Sequence, residues 1–230
     1  NFFLYTPFQI IELKNSNKSK INLHNYNIIN CIYNFLVKNY DNINLNLNYV
    51  NKDIRPFLWH GHPEYKKKFF INVKYTSEIN LSLLNNIKFD QSDMFKNFST
   101  TIKQQIRYSI NSNYDFKEYF SKSIFMKLID NTFSKQNIKF DKKFYEIMLD
   151  NVKKLINKKL TKSYVVSNNN KICFFGIYST INTHSTLVFT GRSQDVDNKN
   201  YSGAFFFFKS FIDLKKNNIK TIDLEGVNSP

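Results

Sequence analysis

The sequence predicts an α/β protein in which a mixed sheet is flanked by helices. Three observations carry that prediction. Residues 163–192 read as three consecutive strands joined by tight Asn-containing turns, which is a meander. The chain then runs strand, polar loop, helix and strand between residues 185 and 225, an order that calls for a right-handed crossover and a parallel pair. Helical spacing dominates the middle, most clearly after Asp141, where Phe144, Ile147, Met148, Val152, Leu155 and Ile156 form one stripe.

The elements follow in order. Residues 1–20 read as a short apolar segment and a polar loop from Lys14 to Lys20. Residues 21–40 place Ile28, Ile29, Ile32, Phe35 and Leu36 at helical spacing. Residues 42–48 alternate Ile43, Leu45 and Leu47 with Asn, a period of two that predicts a strand with one wet face, and Tyr49 continues it. Asp53 to Pro63 reads as a loop, and Lys68 to Ile79 as a second strand. Asp93 is placed to cap a helix that buries Phe95, Phe98, Ile102 and Ile106, with Lys103 and Arg107 sharing another side. Residues 115–135 read as a helix pair or a bent helix. In the last third, Ser163 to Ser167, Lys171 to Thr180 and Ser185 to Arg192 are strands. Gly203 opens an apolar helix through Leu214, and Ile219 to Glu225 is the closing strand.

The chain has 230 residues and a formal charge of +15, from 33 Lys and Arg against 18 Asp and Glu. Such a charge favours phosphate-rich or acidic partners: CoA, nucleotides, anionic glycans. Its make-up weakens that inference. Thirty of the 33 basic residues are Lys, Asn occurs 34 times, and Ala204 is the only alanine, a skew that an A+T-rich genome produces. Nucleic-acid readers lean on Arg for bidentate contacts, and here only Arg55, Arg107 and Arg192 occur. The apolar run Ala204 to Phe208 falls far below the ~20 residues of a membrane span. Two distant cysteines, Cys31 and Cys173, exclude a disulfide scaffold and a cysteine-rich zinc module. No Walker loop, nucleophile elbow or conventional nucleic-acid motif is present. The start at Asn1 and the stop at Pro230, just after a strand, read as cuts in a longer chain.

The segment 185–226 is the most informative for chemistry. A strand delivers the chain to a polar loop, and a helix opens at Gly203, where free N–H groups and the positive dipole end suit a pyrophosphate. Lys199-Asn200-Tyr201-Ser202-Gly203-Ala204 resembles a degenerate (Arg/Gln)-x-x-Gly-x-(Gly/Ala) loop of the GNAT acyl-CoA N-acyltransferases. Lys199 holds the basic position, Ser202 replaces the first glycine and Ala204 takes the last. The ending Thr221-Ile222-Asp223-Leu224-Glu225-Gly226 through Pro230 resembles the "fDfeG…P" segment of Fem-type acyltransferases and related sugar and cell-wall acyltransferases. The helix Phe98 to Ile110, with Lys103, Ile106 and Arg107, resembles the "R..Ir.a" helix of that group. Asp53 to Gly61, followed by Val73-Lys74-Tyr75-Thr76, resembles its "PF.W.GF … TY" segment, and Tyr5-Thr6-Pro7-Phe8 an early "PP(F/L)T" turn.

The resemblance implies a GNAT-like mixed sheet in two halves: residues 1–113 as a degenerate half or acceptor lobe, and 114–230 as the acyltransferase half. It implies N-acylation of an amine on a cell-envelope sugar or peptide, with acetyl-CoA or another acyl-CoA as co-substrate and no metal. A cytoplasmic protein near the inner face of the membrane would do this work. The donor would lie against the splayed strand before the loop, and the amine would attack directly, with no covalent enzyme intermediate. Lys199, Ser202, Gly203 and Ala204 would hold the cofactor. Glu225 or Asp223 would be the general base, since both project to one face if side chains alternate; an ordinary strand carboxylate paired with Lys is the other reading. Arg55, Trp59, Arg107 and Arg192 are the candidate substrate-binding residues, each also readable as a surface pair or loop anchor. His60-Gly61-His62 with Glu64 lacks a further ligand at metal spacing. His184 reads as a turn histidine, and Phe205 to Phe208 as a helix buried on several sides. Two other functions stay open: an aminoacyl-tRNA-dependent aminoacyltransferase that builds peptidoglycan bridges, and a non-catalytic basic binding module.

Overall fold

The computed structural model describes residues 16–47, 53–61, 69–73, 75–85, 88–134, 137, 139–193 and 201–227. The chain divides into two compact units, 1–73 and 74–230. That division precedes the expected 113/114 boundary, and the sheet of the second unit draws a strand and two helices from before residue 114.

The first unit contains α1 (Lys18–Asn39) and the short α2 (Arg55–Leu58). The Asn17 side chain caps α1 by accepting the Lys20 N–H at 2.9 Å. Pro56 sits in the first turn of α2, where its missing N–H costs nothing. Tyr33 of α1 meets Phe57 edge to face at 5.8 Å between ring centroids. The strand expected over 42–48 does not form across the described residues 42–47. Alternation alone does not make a strand without a neighbour to pair with.

The second unit is built on one six-stranded sheet, ordered β1-β6-β5-β4-β3-β2. The strands are β1 (Tyr75–Asn80), β2 (Tyr114–Glu118), β3 (Thr161–Asn168), β4 (Lys171–Ile181), β5 (His184–Arg192) and β6 (Thr221–Val227). The meander β3–β4–β5 is antiparallel, as expected. Asn169 and Asn170 both take positive φ (47° and 62°), which a two-residue hairpin turn with the right twist requires. The crossover helix α7 (Ser202–Lys216) returns the chain to β6, which pairs with β5 in parallel.

Several expectations are corrected. Of the strand expected over 68–79, the described residues 69–73 form no strand, and the part from Tyr75 onward does and pairs with the distant β6. The helix from Asp93 is two helices, α3 (Asp93–Asn97) and α4 (Thr100–Ile110). Phe98 is extended between them, and Ser99 caps the second. Residues 115–118, read as the start of a helix, belong to β2, held by stacking of Phe116 on Tyr164 at 5.1 Å and followed by α5 (Lys122–Phe133). In α6 (Lys142–Asn157) Asp141 is the cap, its carboxylate accepting the Phe144 N–H at 2.6 Å. The buried face there is Tyr145, Met148, Leu149 and Val152; Phe144 and Ile147 point outward.

Helices cover both sheet faces. On one, the fully buried Phe206 of α7 lies against Gly176 and Tyr178. On the other, Phe125 of α5 packs edge-on against Phe175 and Phe189. Phe206 faces the sheet, whereas Phe208 meets Phe89 at 4.6 Å. The Phe205–Phe208 run is therefore a helix buried on several sides, as its periodicity indicates.

Candidate active site

The sheet parts in its middle. β5 and β6 share three rungs, His184–Thr221, Ser185–Ile222 and Thr186–Asp223, and pair no further. Both strands are irregular immediately beyond the last rung. In β5 the register against β4 jumps from Leu187 to Phe189, so Val188 is an extra residue. In β6 Leu224 and Glu225 together oppose the single Ser77 of β1, since Asp223 faces Glu78 and Gly226 faces Thr76. A bulge bends and twists its strand. Two of them, back to back, turn β5 and β6 away from each other toward their C-terminal ends. α7 begins at that same end, because it follows β5.

The β6 bulge has a chemical cause. Glu225 takes φ +62°, a left-handed conformation that a non-glycine residue seldom adopts in a strand. The Asp223 carboxylate holds it there: Oδ1 accepts the Glu225 N–H at 2.8 Å and also accepts the Thr76 hydroxyl of β1. Asp223 is fully buried and Glu225 half-buried. The alternation that would aim both carboxylates to one face is broken at this point. The sequence singled out Thr76 only as part of a resemblance, without its role as the partner of Asp223.

The start of α7 collects the other candidates. Ser202 is buried, and Gly203 and Ala204 follow in the first turn. No side chain caps this end from Tyr201. A Cβ at Gly203 would meet its nearest neighbour, the Phe174 ring, at 3.4 Å, an ordinary contact. Packing does not demand glycine there; a ligand approaching the backbone would. Lys199 lies outside the described residues, as do His62, Glu64 and the Tyr5-Thr6-Pro7-Phe8 turn. Tyr201 packs at a tilt against Tyr108 of α4 with centroids 5.4 Å apart, which ties that helix to the loop. Burial raises the Tyr114 hydroxyl above its ordinary pKa; a hydrogen bond with the Tyr201 backbone and the nearby Arg192 charge act the other way. Arg192, exposed at the end of β5, thus shares this end of the sheet with Tyr114 and Tyr201. Neither tyrosine stood out in the sequence beyond the position of Tyr201 in the loop.

The remaining candidates are engaged locally. Arg107 lies over the Phe95 ring at 5.6 Å, and Lys103 donates to the Lys96 carbonyl at 2.8 Å, satisfying a helix end. His184 bonds Thr221 at 2.7 Å across the start of β5 and β6, at the end of the sheet opposite the opening. In the first unit Arg55 grips Asp53 through Nε (2.8 Å) and Nη2 (2.6 Å) and lies over Tyr26 at 4.7 Å and Trp59 at 5.9 Å. Trp59 remains 54% exposed, leaving one face for another contact.

The Arg55 hydrogen bond holds the Asp53 carboxyl below its ordinary value near 3.8. The folded-state value is depressed, so the pair's stabilisation is complete above the unfolded pKa and is lost as pH falls through the folded one. In Arg55→Ala the Asp53 pKa, followed by carboxyl NMR, is expected to rise to the usual range. An unmoved titration would remove the pair as the cause.

Among the described residues no group of three or more His, Cys, Asp or Glu is placed to hold a metal. None of their helices is long and apolar enough to cross a membrane.

This arrangement is a mixed α/β fold like that of FemX, with its sheet parted beside a crossover helix. The structure is similar to that of FemX over 67% of this chain and 54% of that one, with TM-score 0.54 and 9% identity. L-PGS from Bacillus licheniformis matches over 66% of this chain and 46% of its own (TM-score 0.45, 9% identity). An acetyltransferase solved with acetyl-CoA, from Clostridium acetobutylicum, matches over 50% and 82% (TM-score 0.42, 9% identity). The chain thus spans about half the length of FemX and L-PGS. No protein-family model and no curated protein matches the sequence.

Proposed function

We propose that the protein is an N-acyltransferase that passes an acyl group from a thioester donor, acetyl-CoA by default, to an amine on a cell-envelope sugar or peptide precursor. One observation carries this reading. β5 and β6 separate through a bulge in each strand, at the end of the sheet from which the chain leaves β5 for α7. A separated pair leaves strand edges whose amides can bond an extended pantetheine-like arm and polarise its carbonyl. The uncapped turn at Ser202, Gly203 and Ala204 supports a diphosphate there, with Arg192 at the same end and Lys199 in the preceding loop. Arg107 of the second unit is proposed for the acceptor.

In this reading the acceptor amine attacks the thioester carbonyl, forming the C–N bond. The oxyanion collapses, the C–S bond breaks, and CoA leaves as thiol after taking a proton. Glu225 accepts the proton lost by the amine, either directly or through water. Asp223 serves it by fixing its backbone. We place this work in the cytoplasm, at the inner face of the membrane.

Calorimetric titration of acetyl-CoA at about 150 mM salt, where surface attraction is screened, tests the reading. One-to-one saturation, abolished by Gly203→Asp, is the expected result. Absence of binding would overturn the CoA donor. The +15 charge would then favour a polyanionic donor, aminoacyl-tRNA, testable on the same protein.

A further inference from the structure

Among the described residues the sheet ends on β2, which has β3 on one side and no strand on the other. Such an edge offers backbone groups to a further strand. The ladder fixes which ones. The Tyr119 N–H donates to the Ser163 carbonyl at 2.9 Å, and that pair continues the β2–β3 register. Bonded pairs alternate along an antiparallel ladder, so Lys117 and Asp115 also turn their backbone groups inward to β3. Tyr114, Phe116 and Glu118 turn theirs outward. The Tyr114 N–H is taken by the Ser112 carbonyl at 2.8 Å, which leaves Phe116 at the centre of the open edge.

The side chains of Asp115 and Lys117 lie on the sheet face away from Phe116, and both are exposed. Among the described residues neither makes an ion pair; Lys117 lies over the Tyr119 ring at 5.2 Å. A twofold axis at Phe116 lays β2 of a second copy antiparallel to this edge. Phe116 then faces its twin, with the backbone groups of both turned to exchange two hydrogen bonds. On either side, Asp115 of one copy faces Lys117 of the other. These flanking positions are the non-bonded kind, where opposite side chains come closest. The neighbouring symmetric registers, shifted by two residues, set Asp115 against Asp115 or Lys117 against Lys117. The charges therefore admit one register and penalise the next on each side. An edge protected against its own kind by repulsion would carry one sign of charge; this edge carries both, at the two positions that symmetry brings together.

We propose that β2 is a self-complementary edge that pairs with β2 of a second copy of the chain, antiparallel about Phe116, so that the two sheets join into one. The proposal does not depend on the acyl-transfer reading.

Two short strands make a contact at or below the ~1,200 Å² of weak, transient pairs, and the +15 charge of each copy opposes the association. The experiment is sedimentation velocity of the full chain between about 10 and 500 µM, at about 150 mM salt to screen the net charge. A reversible dimer that grows with concentration is the expected result. Symmetry makes one substitution act on both charge pairs, so Asp115→Lys or Lys117→Asp should each weaken the dimer about thirtyfold. Both sites are exposed, and thermal melts confirm that the variants fold. An equimolar mixture of the two single variants should recover the affinity as a heterodimer, since each then meets the opposite charge. The double variant D115K/K117D should recover it as a homodimer. A monomer at every concentration overturns the proposal. So does a dimer that either single variant leaves intact, which would lie on another surface. Single variants that dissociate without recovery in the mixture overturn the register.

Discussion

Glu225→Gln is expected to lower the rate of acetyl transfer to an amine acceptor by about 10²–10⁴-fold while acetyl-CoA binds as before. The size follows from the loss of a general base from an otherwise intact site. Glutamine is nearly isosteric and tolerates φ +62° no worse than glutamate, so the bulge survives. Asp223 supplies the contrasting case. Its Oδ1 accepts both the Glu225 N–H and the Thr76 hydroxyl. Asparagine keeps an oxygen at that place and alanine does not. Asp223→Asn should therefore retain most of the turnover, with its pH profile unmoved. Asp223→Ala should lose turnover and also destabilise the fold by about 1 kcal/mol, because two half-buried donors lose their buried acceptor. Rates measured by thiol release across pH, alongside denaturant melts, separate the two roles. If Asp223→Asn is as inactive as Glu225→Gln while remaining stable, Asp223 is the base and the positioning role is wrong.

The sequence reading succeeds where the signal is local. The meander β3–β5 announces itself through alternation and Asn turns, and the strand–loop–helix–strand order dictates the parallel pair. It fails where a distant partner decides. β1 pairs with β6 across almost the whole second unit, and nothing near Tyr75 marks which strand it joins. Tyr114 to Glu118 alternates for only five residues, too short a run to outweigh the helical pattern that follows it. In α6 the periodicity was right and the phase wrong, since Tyr145 turns inward to bond Asp130 and leaves Phe144 to solvent. The candidate site shows the same division. Gly203, Ser202 and the carboxylates of β6 were legible as residues. The bulge that sets Asp223 and Glu225 apart was not, because alternation assumes an unbroken strand and Glu225 is not a residue type that advertises positive φ.

The largest stability effect is expected at the two glycines over which phenylalanines lie on opposite faces of the sheet. A Cβ at Gly176 would fall 2.2 Å from the Phe206 ring. That ring has little room to retreat: it is fully buried, parallel to Tyr178 at 6.0 Å and tilted against Phe174 at 4.9 Å. A Cβ at Gly191 would fall 2.2 Å from the Phe175 ring and 2.9 Å from the Leu128 carbonyl oxygen of α5. Each Gly→Ala change is expected to cost about 3 kcal/mol, the upper end for overpacking, read from urea melts. The two sites should then respond differently to relief. At Gly176 only a side chain is in the way, so Phe206→Leu should absorb much of the cost. A double-mutant cycle should give a coupling of about 1–2 kcal/mol. At Gly191 a backbone oxygen also stands in the way, and Phe175→Leu should leave most of the penalty in place. Additive behaviour at Gly176 would show that α7 shifts as a body to accommodate the methyl group. Because the first turn of α7 carries Gly203 and Ala204, such a shift would also be felt in acetyl-CoA affinity, and the two measurements together decide whether the helix or the ring yields.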